Sequence, residues 1–95
     1  MRRAAKIDAN QPDIVTALRQ YGATVHSLAQ VGNGCPDIVV GYNGKNYLFE
    51  IKDGNKPQSR RKLTEAEARW HAEWQGQVTV VASPREAIIH IKDHS

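Results

Sequence analysis

The pair Asn43-Gly44 lies between two apolar runs, Ile38-Val39-Val40 and Tyr47-Leu48-Phe49. A two-residue type I′ turn needs positive φ at both central positions, and Asn-Gly meets that need best, so the spacing predicts a tight β-hairpin. The turn fixes the register. Tyr42 faces Lys45, and counting outward pairs Gly41 with Asn46, Val40 with Tyr47, Val39 with Leu48 and Ile38 with Phe49. Asp37 then faces Glu50. Opposed side chains in an antiparallel pair share a face, with Cβ atoms roughly 4.5–5.5 Å apart. Lys52, two residues beyond Glu50, falls on that face as well. Two opposed carboxylates repel unless positive charge lies between them. The hairpin therefore predicts a divalent-cation site with oxygen ligands, flanked by a lysine.

Around the hairpin the chain reads as alternating helices and strands. Asn10 or Gln11 precedes a helix that Pro12 helps to start, with Asp13 complementing its dipole and Gly22 as its stop. Ile14, Val15, Leu18 and Tyr21 form its apolar stripe. Thr24-Val25-His26-Ser27-Leu28 reads as a short strand, and Val31 to Pro36 as a loop whose Gly32 and Gly34 let the chain pass close to the site. The stretch from Asp53 to Lys62 is too polar and too broken by Gly and Pro for a buried element. Thr64 caps a second helix, with Glu67 placed to complete a capping box. Leu63, Ala66, Trp70 and Trp74 are expected as its buried face, and Gly76 as its end. Gln77 to Ala82 is rich in β-branched residues and reads as a buried strand. Ser83, Pro84 and Glu86 open a last helix running to about Lys92. The expected fold class is α/β, a small mixed sheet with flanking helices in the order α-β-β-β-α-β-α.

With 95 residues the chain has room for one layered core, hence a single domain over 1–95, with 1–9 as a loose basic arm. One cysteine, Cys35, excludes an internal disulfide and fits a reducing cytoplasm; it reads as a small buried residue. No apolar run approaches the roughly 20 residues that span a bilayer. The net charge of +3 tilts toward an anionic partner without naming one. The four histidines lack the spacing of a structural zinc site.

Pro36-Asp37 followed by Glu50-Ile51-Lys52 resembles the PD-(D/E)xK nuclease superfamily, and the chain looks most like archaeal-type Holliday-junction resolvases and the small virus-type replication-repair nucleases. The likeness covers about residues 8–90 and implies a restriction-endonuclease-like core. It further implies a Mg²⁺-dependent DNA endonuclease, with Mn²⁺ able to substitute, acting on branched or structured DNA. Phosphodiester hydrolysis needs charge neutralisation at phosphate and an activated water, which a hard, oxygen-ligated ion supplies. The resemblance makes Asp37 and Glu50 the ligands, joined by the Ile51 carbonyl, and gives Lys52 the attacking water or the developing charge. The plainer reading of Lys52 is a surface ion pair with Glu50 or Asp37.

Relatives often add a carboxylate from the first helix. Here the helical wheel puts Gln11 on the stripe and turns Asp13 away, so an amide stands where an acid is expected; Asp8 stays open as an alternative. Glu67 similarly stands where relatives carry a glutamine, and it either looks toward the site, closes the capping box or pairs with His71. Lys56, Arg60, Arg61 and Lys62 follow Lys52 closely and are expected to contact DNA phosphates, with Arg2, Arg3 and Lys6 as a second basic group. Trp70 and Trp74 read as core, since a base-stacking platform would need them exposed. A homodimer would supply two sites for two strands. The rival class is a non-catalytic nucleic-acid-binding module, or an interaction subunit, on the same fold.

Overall fold

The computed structural model describes residues 7–95. The elements are α1 (Gln11–Tyr21), β1 (Thr24–Ser27), β2 (Ile38–Tyr42), β3 (Lys45–Ile51), α2 (Glu65–Glu73), β4 (Thr79–Val81) and α3 (Pro84–Asp93), with one 3₁₀ turn at Gln58–Arg60. The expected order holds. The strands form one mixed sheet in the order β1-β2-β3-β4, antiparallel except for the parallel β3–β4 pair. The basic residues Arg2, Arg3 and Lys6 of the expected arm lie outside the described residues. Among the described residues no helix is long and apolar enough to cross a membrane.

The hairpin has the predicted register from Tyr42–Lys45 to Ile38–Phe49. Asn43 and Gly44 carry φ of 52° and 77°, the two positive values that a type I′ turn demands. Alternation along the strands then separates two faces. Ile38 and Val40 of β2, with Tyr47, Phe49 and Ile51 of β3, are buried on one face, together with Val25 of β1 and Val81 of β4. Ile14 and Leu18 of α1 and Ala87 and Ile91 of α3 complete that core. Asp37, Glu50 and Lys52 belong to the opposite face.

Three details differ from expectation. The α2 helix buries none of its residues and ends at Glu73, short of Gly76. Leu63 and Trp70 are half-buried, and Ala66 and Trp74 are exposed. The reason is that α2 meets the sheet through polar side chains. Second, β4 is an edge strand of three residues and only half buried. Val81 pairs with Ile51 and enters the core, whereas Val80 pairs with Glu50 on the other face and is 43% exposed. Third, Tyr21 is exposed and packs against Tyr42 in a tilted arrangement instead of entering the core, with ring centroids 5.5 Å apart.

Asn10 flanks α1 without capping it. Its amide Nδ2 instead donates to the carbonyls of Lys52 (3.0 Å) and Ala82 (3.2 Å), tying the start of α1 to the ends of β3 and β4. On the other side, Gly34 passes against the first turn of α2. A Cβ at that position would lie 2.3 Å from the Ala66 carbonyl oxygen, and Gly34 has φ of 82°. The close approach at Gly34 is to the backbone of α2, the helix that carries Glu67.

These two glycines separate two kinds of constraint. Gly44→Ala meets nothing within 4 Å, so only the left-handed backbone resists it and the cost is about 1 kcal/mol. Gly34→Ala adds a backbone clash and is expected to cost roughly 2–4 kcal/mol while displacing α2. Urea unfolding of both variants checks the ranking; equal costs would contradict it.

Candidate active site

The two carboxylates that the hairpin register opposes are both buried: Glu50 is 1% exposed and Asp37 is 7% exposed. Asp37 sits one residue before β2. Its backbone N–H donates to the Phe49 carbonyl (3.0 Å), and its Oδ2 accepts the Ile51 N–H (2.6 Å). These bonds hold the acid at the end of the ladder. Burial pushes the Asp37 carboxyl up, although hydrogen bonds from Glu50 and from the Ile51 N–H oppose the rise. Burial pushes Glu50 much further up, reinforced by its hydrogen bond to Asp37 and by the charges of Asp37 and Glu67. The Glu50 carboxyl is pushed up to about 10, so without an ion it favours its protonated form near neutral pH. Burial and a like-charged neighbour both raise a carboxyl, and strongly shifted carboxyls cluster at functional sites.

Lys52 does not pair with either acid, contrary to the plainer reading of the sequence. Its Nζ donates to Glu67 Oε1 at 2.7 Å, and both side chains are largely shielded. Burial alone would lower the Lys52 pKa, but the hydrogen bond and charge of Glu67 outweigh it and hold it above its ordinary value. Burial likewise opposes ionisation of Glu67, yet Lys52 and the Thr64 N–H keep its carboxyl below the usual range. Glu67 Oε1 also accepts the Thr64 N–H (2.8 Å), and Thr64 Oγ1 accepts the Glu67 N–H (3.2 Å). The capping box and the inward orientation, alternatives in the sequence, coexist in one side chain.

One turn later His71 faces Glu50, with Nε2 3.9 Å from Glu50 Oε1. The sequence offered His71 only as a solvated partner of Glu67. Its one legible signal was the four-residue spacing, which places both side chains on one stripe of α2. Glu67 and His71 thus reach Lys52 and Glu50 respectively.

Gln11 is buried (5% exposed) at the start of α1, as the helical wheel predicted, and Asp13 is exposed. Asp8 lies close enough for its charge to act on both Asp37 and Lys52. The role of Asn10 in fixing this end of α1 was not visible in the sequence, because its partners are backbone carbonyls 42 and 72 residues away. Cys35 is half-buried rather than buried, and burial with the nearby acids Glu50 and Asp37 pushes its thiol up.

Lys56, Arg60 and Lys62 are exposed on the connection from β3 to α2. Arg61 is half-buried, and its Nε donates to the Lys56 carbonyl (2.7 Å), which shapes this connection.

The donor set fits a hard divalent ion. Gln11 Oε1 and Glu50 Oε1 are buried acceptor oxygens without a hydrogen-bond partner among the described residues. Among the described residues no group of three His, Cys, Asp or Glu side chains is placed to hold a metal ion by itself. Two carboxylates with open positions are the arrangement Mg²⁺ uses, since it keeps several waters.

Comparison with known proteins agrees with this architecture. A solved structure titled VRR_NUC domain superposes with a TM-score of 0.67 at 21% sequence identity, over 93% of this chain and 100% of that one. The chain has the fold of a virus-type replication-repair nuclease domain. No family profile matches the chain, and no curated protein matches it.

The raised Glu50 carboxyl sets a sign for pH dependence. An acid with a higher pKa folded than unfolded holds its proton more tightly in the native state, so its contribution is complete below the ordinary carboxylate range and is lost as pH rises toward the folded value. Glu50→Gln removes that titration. In metal-free buffer this variant is expected to gain stability over the parent as pH rises, by on the order of 1–3 kcal/mol at neutral pH. Urea unfolding across a pH series checks it; a gain that shrinks with rising pH would contradict the assignment.

Proposed function

We propose that this protein is a metal-dependent endonuclease that hydrolyses phosphodiester bonds in branched or structured DNA. The observation that carries the reading is the buried, opposed Asp37–Glu50 pair with Lys52 beside it, on a VRR_NUC-like fold. Asp37 and Glu50 would hold Mg²⁺, or Mn²⁺ in its place, with the Ile51 carbonyl and the Gln11 amide oxygen as further donors. Such an ion supplies charge neutralisation at the phosphate and a bound water of lowered pKa.

The chain's own residues supply the rest. The Ile51 N–H fixes one oxygen of Asp37 and leaves the other for the ion. Lys52 remains protonated through Glu67, so it offers a fixed positive charge where the pentacoordinate phosphate gains negative charge. Glu67, clamped by the Thr64 N–H, holds the ammonium in place. The exposed Lys56, Arg60 and Lys62 provide phosphate attraction next to the site. A second copy of the chain would supply the second cut at a junction.

One observation favours a second reading, a binding module without catalysis: Gln11 supplies an amide where relatives often carry an acid. Forked, flapped, four-way and linear DNA, each incubated with Mg²⁺ or with chelator, separates the two. Cleavage is expected with Mg²⁺ only, on branched substrates ahead of linear duplex. Asp37→Asn and Lys52→Ala are each expected to reduce it by about 100-fold or more while leaving DNA binding largely intact. Salt-sensitive binding with no cutting of any substrate would favour the binding module.

A further inference from the structure

The α2 helix carries a feature that the proposed chemistry does not use. Trp70 and Trp74 lie one turn apart with indole centroids 4.6 Å apart and planes inclined by 20°, a stacked pair. Trp74 is 44% exposed, and α2 buries none of its residues. Trp70 is half-buried and Trp74 largely open to solvent, so the outer part of this pair is costly to leave in water unless a partner covers it.

The position of the pair indicates the partner. Trp70 follows Glu67 by three residues and Trp74 follows His71 by three, a rotation of about 300° on an α-helix. The indole stripe therefore adjoins the stripe that reaches the site. The link is direct: His71 lies 3.9 Å from Glu50, and its ring meets Trp70 edge-on with centroids 6.0 Å apart. The stack thus begins one ring away from the proposed metal ligand. The exposed cations Lys56, Arg60 and Lys62 lead into α2 from the other end. Glu65 and Glu73 lie on α2 itself, so attraction for phosphate comes from the preceding segment and the indoles contribute a flat apolar face.

We propose that the Trp70–Trp74 stack is a platform for an unpaired nucleobase of the DNA substrate, beside the site of cleavage. A base within a duplex has both faces covered by its neighbours. Only an unpaired or splayed base, as at a fork, flap or junction, has a face free to stack on an indole, and such stacking tolerates any sequence. The inference rests on the DNA reading above and gives it a physical source of preference for structured over continuous duplex DNA.

The chain contains two tryptophans, and both are in this pair, so intrinsic tryptophan fluorescence reports on the platform alone. Metal-free protein in chelator is titrated with a single-stranded oligonucleotide and, separately, with the same sequence as a covalently closed circular duplex, which has no open terminal base pair. Quenching is expected with the single strand at concentrations well below those needed with duplex. Trp74→Ala, checked for folding by circular dichroism, is expected to weaken single-strand binding by about ten-fold or more, whereas Trp74→Phe retains most of it. Equal quenching by duplex, or unchanged affinity in Trp74→Ala, would overturn the proposal. So would fluorescence that changes with protein concentration alone, because a second copy of the chain would then cover the indoles. Failure here with metal-dependent cutting intact sinks the platform but not the nuclease; single-strand quenching without cutting does the reverse.

Discussion

The rest of this structure depends on the confrontation of two acids across a hairpin. A two-residue turn leaves no slack in register, so once Asn43 and Gly44 adopt positive φ the ladder is set out to Ile38–Phe49, and Asp37 and Glu50 are the next residues beyond it. The backbone reinforces the placement, since the Ile51 N–H binds Asp37 directly. Burial and mutual repulsion displace both carboxyl groups upward from their ordinary titration range, Glu50 most of all. A one-residue slip would carry Glu50 into the apolar layer and Phe49 out of it. The same apolar pattern that builds the core therefore also guards the geometry of the site.

Much of this was readable in the residues because the determinants are local. Turn chemistry fixed the hairpin, Thr64 and Glu67 fixed the start of α2, and the period of α1 turned Gln11 inward and Asp13 outward. Contacts between distant segments were not readable. Nothing in the sequence says that Lys52 chooses Glu67 over the nearer Glu50, since the choice depends on where α2 lies in space. Asn10 has the composition of a helix cap and acts instead as a brace between strands.

The misreading of α2 has a clear physical origin. Trp70 and Trp74 recur at a helical step, and that spacing describes a buried stripe equally well as an exposed one. Periodicity shows that two residues share a side of a helix, not what lies against that side. Here the sheet face opposite the core presents Glu50 and Lys52, so the side chains that α2 turns toward it are an acid and an imidazole. The half-exposed Val80 on β4 has the same cause: it shares that polar face.

A helix fastened mainly by a capping box, one ion pair and a close pass of Gly34 is only loosely coupled to the hydrophobic interior. Its outward residues can therefore change over evolutionary time with little effect on folding, provided that Glu67, His71 and the glycine contact persist. One surface of α2 is thus free to vary while the opposite surface stays committed to Lys52 and Glu50.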